Sequence, residues 1–543
     1  MITLPELVWT LPFFLYAETH YRFKYFLSWL RKAEPEIIAD APHRVDPHAD
    51  IPLLILAKDA DKFPATLAGV GVTMRQAGKI VGTTHLIKNA ISLSDPLWWN
   101  VYTLSREGLH GWIELEVSLT LTIKGRSRVY GTDNHRTSSH APLRVFLSSD
   151  SLPQVPGTAF GDAHIHSDRT SDQVEFGVPI GAATTLSRSM GLSFFCVTDH
   201  SYDLDDSVDD YLKNDPTLPK WNSLKQEVRN INSGQQNIVI IQGEEISCRN
   251  SNERNVHLLL FGDDQFFEGS GDSAERWFHT KCELRIADVL RLKHLESLAF
   301  AAHPKEHVSL LQRLLLGRGT WTMEDCRDSR LVGIQFANGI RGKGFAKGFN
   351  LWVNALLDGR RLYCLAGNDA HGNFNRFRQI GFPFLRIREH SFQLFGKMRT
   401  AVFAEAPLDQ SRILKSLARG AFNITDGPFA NIVLTSKQGM VTSIGDHFEG
   451  SNFEFTVSIY SSREFGEIKN LKVMWGEIGT EAERILLSEQ LSAMFTYQRD
   501  FKVHVVEAMY IRAEVVTSNR NDSDQSEHFC ITNPIWFSPK PAP

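Results

Sequence analysis

The sequence predicts an α/β fold, a βα barrel of about seven strands set between two β-rich regions. Three observations predict it. From Gly161 onward, short apolar runs of strand length alternate with stripes at helical spacing. Seven of those runs end in His, Asp, Glu or Asn, residues suited to a shared cavity at the carboxyl ends of strands. Before and after this stretch the apolar residues alternate with period two instead. The expected division is 1–160, mainly β with an initial helical segment; 161–428, the barrel; and 429–543, a β-sandwich.

In chain order, Leu7 to Ala17 reads as a docked or core helix, because it follows Glu6 rather than a basic region and lacks a small-residue cleavage site. Ile113, Leu115, Val117, Leu119, Leu121 and Ile123 alternate strictly, which predicts a half-buried strand within a β-sandwich over much of residues 40–150. Pro153 and Pro156 mark a linker. Trp221, Leu224, Val228 and Ile231 form a helical stripe, Gly234 falls where a cap would stand, and Ile238 to Ile241 reads as a buried strand. The unit recurs: Phe345, Phe349, Trp352 and Leu356 are a stripe, Gly359 ends it, and Leu362 to Leu365 leads into Gly367-Asn368-Asp369. The tail returns to alternation in Phe453, Phe455, Val457 and Ile459.

Bulk properties exclude some classes. The chain has 543 residues, 42% hydrophobic and 22% charged, enough for a large core in more than one domain. A net charge of -5 argues against a dedicated nucleic-acid surface. No stretch reaches the roughly 18 apolar residues of a membrane span. Cys196, Cys248, Cys282, Cys326, Cys364 and Cys530 show no paired short spacing, so buried thiols in a reducing compartment are expected and the localisation is read as cytoplasmic.

The strand ends carry the chemistry. They are His164/His166, Asp199/His200, Glu244/Glu245, the run Val256 to Gly262 with His257, His303, Asn338, and Asp369/His371. Residues two apart on a strand face the same way, so His164 and His166 can share one ion, and Asp369 and His371 repeat that spacing on a final strand. Glu244 and Glu245 must face opposite ways, so one alone enters the site. Imidazole and carboxylate at so many strand ends point to a multi-metal hydrolytic centre, because clustered divalent ions lower the pKa of a bridging water and clamp a transferring group. A metal-bound hydroxide is then the expected nucleophile.

The ordered set Asp162-x-His-x-His, Thr198-Asp199-His200, Gly243-x-Glu245-Ile246-Ser247, His257, Ala302-His303-Pro304 and Asn368-Asp369-Ala370-His371 resembles the PHP (polymerase and histidinol phosphatase) superfamily. Gly367 to Gly372 and Thr425-Asp426-Gly427-Pro428 are similar to its CehA/McbA-type branch, and the resemblance covers about Gly161 to Pro428. It implies a distorted seven-stranded βα barrel of PHP type with a trinuclear centre. His164, His166, Glu245 and Asp369 would hold one ion, with Glu245 bridging to a second held by His257 and His303. His200 and His371 would hold the third with an acid after His166. The family places that acid five residues on; here Asp172 lies six after His166, and Asp168 is the alternative. Asp369, Glu245 and His200 are the expected catalytic residues, and Asp199 an orienting one. Two to three divalent ions, Mn, Zn or Fe, are the implied cofactors.

Arg169, Lys305, Arg341 and Arg376 sit in loops just past such strands and Asn338 at a strand end, so these five are candidates for binding a phosphate or carboxylate. Phe374 and Tyr202 either pack on an organic substrate or bury a loop. The expected activity is a metal-dependent phosphoesterase acting on a small phosphorylated or phosphodiester substrate. The alternatives are hydrolysis of carboxyl esters, amides or carbamates, and a non-catalytic barrel serving as a binding or scaffolding module. The expected partner is a small-molecule substrate, with homo-oligomer formation through the flanking β regions.

Overall fold

The computed structural model describes residues 34–170, 177–234, 237–271, 280–381, 386–436, 439–519 and 527–539. The helix expected over Leu7 to Ala17 lies outside them.

The strands that bear the site are β1 (Thr158–His166), β2 (Phe194–Val197), β3 (Val239–Arg249), β4 (Asn255–Phe261), β5 (Leu298–Ala302), β6 (Leu331–Asn338) and β7 (Tyr363–Gly367). They stand side by side in sequence order. β1, β2 and β3 pair in parallel, as do β5, β6 and β7. The sheet curls until the chain leaving β7 returns to its start, where β8 (Ala370–His371) pairs with β1 through Ile165↔Ala370 and His166↔His371. That curl turns seven strand ends towards one another.

This is not the helix-rich seven-stranded βα barrel expected from the sequence. The site strands are part of a curled sheet of 16 strands, which runs on through Arg399–Phe403 and Phe422–Thr425 into the C-terminal strands. β3/β4 and β4/β5 pair antiparallel, and Asn250–Arg254 alone joins β3 to β4. Antiparallel neighbours need only a short reversal, whereas parallel ones need a crossover, commonly a helix. The apolar runs that predicted strands carry no mark of direction, so the reversals were not legible.

Among the described residues, helices of ten or more residues pack on the site strands, three of them as follows. α1 (Ile180–Ser189) buries Ile180, Ala183 and Leu186; α2 (Pro219–Ser233) buries Trp221, Leu224 and Val228; α3 (Lys343–Leu357) buries Leu351, Trp352, Ala355 and Leu356. Pro219 opens α2 at a position where a helix has no use for the missing N–H. Gly359, at φ +80°, reverses the chain after α3, but Gly234 after α2 is extended rather than left-handed.

Residues 36–147 form a three-stranded and a seven-stranded sheet around one core that includes Ile113, Leu115, Val117, Leu119 and Leu121. At the C-terminal end a four-stranded sheet (439–442, 429–436, 452–460 and 496–504) faces strands of the large sheet across a core of Phe455, Val457, Ile459, Leu471, Val473 and Val515. Apolar contact joins these regions to the centre. Leu54 and Leu56 pack in one cluster with α1, and Phe529, Ile531 and Trp536 in another with α3. All six cysteines are buried. Among the described residues, no helix is long and apolar enough to cross a membrane.

Candidate metal centre

Glu245 stands at the middle of the site, completely buried. Its Oε2 lies 3.2 Å from His164 Nε2, 3.4 Å from His166 Nε2 and 3.1 Å from His200 Nδ1. Its Oε1 lies 2.7 Å from His257 Nδ1 and 2.9 Å from His303 Nε2. Asp369 Oδ1 closes the other side, 3.4 Å from His164 Nε2 and 3.1 Å from His166 Nε2. The His371 ring stacks on His166 with centroids 4.0 Å apart. Eight of the nine residues expected as metal ligands are thus gathered around one carboxylate; the ninth, Asp172, lies outside the described residues. Asp168, its alternative, is turned to Arg169 at 2.9 Å.

The arrangement follows from the strands. On β1 the two-residue spacing sends His164 and His166 to one side, and on β3 the alternation sends Glu245 in and Glu244 out. Glu244 accepts from Ser201 Oγ at 2.8 Å and from the Phe267 N–H at 3.3 Å, behind the sheet. At Gly367 a Cβ would lie 2.5 Å from His164 Cβ and 2.7 Å from its nitrogen, so only glycine lets β7 lie this close to the site strand. The turn that follows holds Asp369 at φ +53°, and His303 stands at φ +26°. Strained non-glycine residues of this kind cost about 1–3 kcal/mol each and persist where the surroundings over-determine them.

A second set of groups fixes the first. Gln335 on β6, fully buried, places Oε1 3.2 Å from His164 Nδ1 and accepts from the His303 N–H at 3.1 Å. Asp162 accepts from the Asn368 side chain at 2.7 Å and the Gly396 N–H at 2.8 Å, which pins the β7 end to β1. Asp199 does not point at His200. It accepts from Ser167 N and Ser167 Oγ, both at 2.6 Å, and so fixes the turn behind His166. Tyr202 stacks on His200 at 4.6 Å, and Gln393 Nε2 lies 3.4 Å from Asp369 Oδ2. Gln335 and Gln393 were missed from sequence because an amide carries no metal-ligand signature.

Charge within the site is divided sharply. Burial alone would raise the Glu245 carboxyl, but His257, His164 and His200 outweigh it and hold it well below the usual range. Burial opposes Asp369 in the same way, and His164 and His166 likewise hold it low. Burial would lower His166, but the two carboxylates raise it well above an ordinary imidazole. His200 is pushed down to about 4 and His371 to about 3, by burial first. Both carboxylates therefore stay ionised, and at least these two imidazoles offer lone pairs at neutral pH.

The basic candidates do not converge here. Arg169 pairs with Asp168 and Glu227. Lys305 Nζ donates to the Trp321 carbonyl at 2.6 Å. Arg376 donates to the Pro142 carbonyl and faces Glu389, where the Phe374 loop docks on the N-terminal region through Asp40. Arg341 lies over Phe529 at 5.3 Å and lines a cavity of ≈ 280 Å³ between α3 and the C-terminal strands. Asn338 reaches the site only through Gln335, 3.2 Å away. Phe374 is buried against Phe395 at 4.6 Å, so it supports its loop. Loop arginines carry long, flexible stems, and their endpoints follow from neighbours that a sequence does not reveal.

No protein-family model matches the chain, and no curated protein matches it. Among solved structures, a β-glucuronidase of Bacteroides uniformis matches 93% of this chain and 61% of its own length, at 11% identity and a TM-score of 0.18. A glycosyl hydrolase family 2 member of Bacteroides cellulosilyticus DSM 14838 matches over 93% and 63%, at 11% identity and a TM-score of 0.17. A putative β-galactosidase from Bacteroides fragilis matches over 94% and 74%, again at 11% and 0.17. The chain spans about three fifths of the first two (61% and 63%). TM-scores this low carry no argument about this chain's fold or activity. The expected PHP and CehA/McbA membership finds no support: no family model matches, and the three solved structures named above bear glycosidase names. That resemblance is withdrawn, and with it the phosphoesterase reading and the two alternatives set beside it.

Proposed function

We propose that the protein is a metal-dependent hydrolase whose centre holds two to three divalent ions. One observation carries the reading. His164, Glu245, His303 and Asp369 form one group, His166, His200 and His371 a second, and His200, Glu245 and His257 a third, each with donor atoms within 4.8 Å of one another. The residues fit such ions. Six imidazoles and two carboxylates make a mixed N/O donor set suited to Mn, Zn or Fe. Glu245 offers each of its oxygens to a different set of rings, as a bridging carboxylate must. His164 Nε2 and Glu245 Oε2 are buried without a well-formed hydrogen bond, an expensive condition that a shared cation would relieve.

When bound, such ions lower the pKa of a coordinated water and polarise the bond under attack. The rest is done by side chains. Gln335 fixes the ring plane of His164, and Asp199 fixes the turn behind His166. The centre opens on one side, since the Asp369 and His303 side chains are 14% and 11% exposed while His164, His166 and Glu245 are 0%. Substrate and water enter there. Asp369, ionised and at this opening, is placed to accept a hydrogen bond from the attacking water and so orient it.

The test is metal content per chain by elemental analysis, on protein purified without chelator or metal-affinity resin. Two to three equivalents, with ion-dependent turnover of some member of a mixed chromogenic ester, phosphate and glycoside panel and its loss in Asp369→Ala, are expected. No metal, and no uptake from added Mn or Zn, overturns the reading.

A further inference from the structure

None of the arginines expected to select a substrate reaches the centre, yet a different one does. Arg318 places Nη2 2.7 Å from His257 Nε2. It stands on the loop that follows the short helix Leu310–Leu315, and that loop is built into position. The Asn255 N–H donates to the Gly317 carbonyl at 3.0 Å, Asn255 Nδ2 donates to the Leu316 carbonyl at 2.8 Å, and the Gly319 N–H donates to the Asn255 carbonyl at 2.9 Å. Gly317, at φ +64°, supplies the reversal. Asn255 lies two residues before His257 on β4, so one strand presents the ring and fixes the loop that carries the guanidinium to it.

Arg318 Nη2 thus stands at the outer edge of the His257 ring, whose Nδ1 faces Glu245 Oε1 at 2.7 Å on the inner side.

Resting on the metal-centre reading above, we propose that Arg318 is the anion-binding side chain of this centre. Held at the outer edge of His257, it receives an anionic oxygen group of the substrate at the rim. The charge balance favours such a substrate. Two carboxylates contribute -2, two to three divalent ions +4 to +6, and Arg318 adds one more positive charge at the edge of the centre. A planar fork of donors beside this excess positive charge suits carboxylate-, sulfate- or phosphate-like oxygens.

Calorimetric titration tests this with inorganic sulfate as the probe. In the Mn-loaded protein, Arg318→Gln is expected to weaken sulfate binding roughly tenfold or more, the loss of one charge-assisted hydrogen bond, with partial recovery in Arg318→Lys. Wild-type sulfate affinity in Arg318→Gln overturns the anion role and leaves the metal centre itself standing. A wild-type protein that takes up no metal overturns the centre and this inference together.

Discussion

Glu244 and Glu245 are consecutive residues of one strand and are equally buried, yet they belong to two regions of opposite character. Glu245 faces five imidazoles, and their summed field holds it ionised against burial. Glu244 faces Ser201 and the Phe267 N–H on the other side of the sheet, with Asp263 and Asp205 nearby, and burial pushes its carboxyl well above the usual range. Burial is the largest influence on both. Its outcome is decided by what the pleat turns each side chain towards, a crowd of donors or a pocket shared with other acids.

The comparison breaks most severely at Glu245→Gln. Removing this charge leaves the surrounding imidazoles without their common partner, and the metal-free protein should lose about 3–5 kcal/mol, the usual cost of unpairing a buried ionic group. Denaturant titration measures this, and ion uptake should vanish with it; an unchanged midpoint would mean that the rings do not depend on Glu245. Gln335→Ala comes next. It loosens His164 and His303 without removing a donor, so ion affinity should fall roughly 10–100-fold while stoichiometry is kept. Unaltered affinity would remove Gln335 from the site.

Glu244→Gln should do the reverse of Glu245→Gln. The raised folded-state value means that the folded chain holds this proton more tightly than the unfolded chain. Stability from Glu244 is therefore present below the ordinary glutamate range and declines as pH rises towards the raised value. The amide keeps an acceptor for Ser201 and removes the titration, so stability at neutral pH should stay within about 1 kcal/mol of wild type or rise, with a flatter slope in pH. A slope as steep as wild type would show that another group titrates there. Glu245 has the opposite sign, its contribution being lost as pH falls. The smallest effect belongs to Arg341→Ala. It removes a cation over Phe345 and Phe529, worth about 0.5–1 kcal/mol, and should leave ion uptake unchanged.

Much of the candidate site was legible because its signals are local. His164 and His166 share a face by strand period alone, and Glu245 was separated from Glu244 by the same rule. The arginines failed because their placement depends on distant partners. Arg376 is drawn to the Pro142 carbonyl and Arg341 to Phe529, residues separated from them by more than a hundred positions. Arg318 was passed over because its loop follows a short helix rather than a strand end. Asn255, 63 positions earlier, holds that loop beside His257.

By itself, then, the sequence determined which stretches are strands, where their polar ends fall and which donors share a side, since the alternation of a strand is a property of the local backbone. Tertiary structure decided the rest. The direction of β4, the continuation of the sheet into the C-terminal strands, and the closure of His371 onto His166 depend on pairing between residues far apart in the chain, and a continuous apolar run is compatible with either strand direction. Charge states followed the same division. The residue types set the ordinary values, and the neighbours brought together by folding drove two adjacent glutamates in opposite directions.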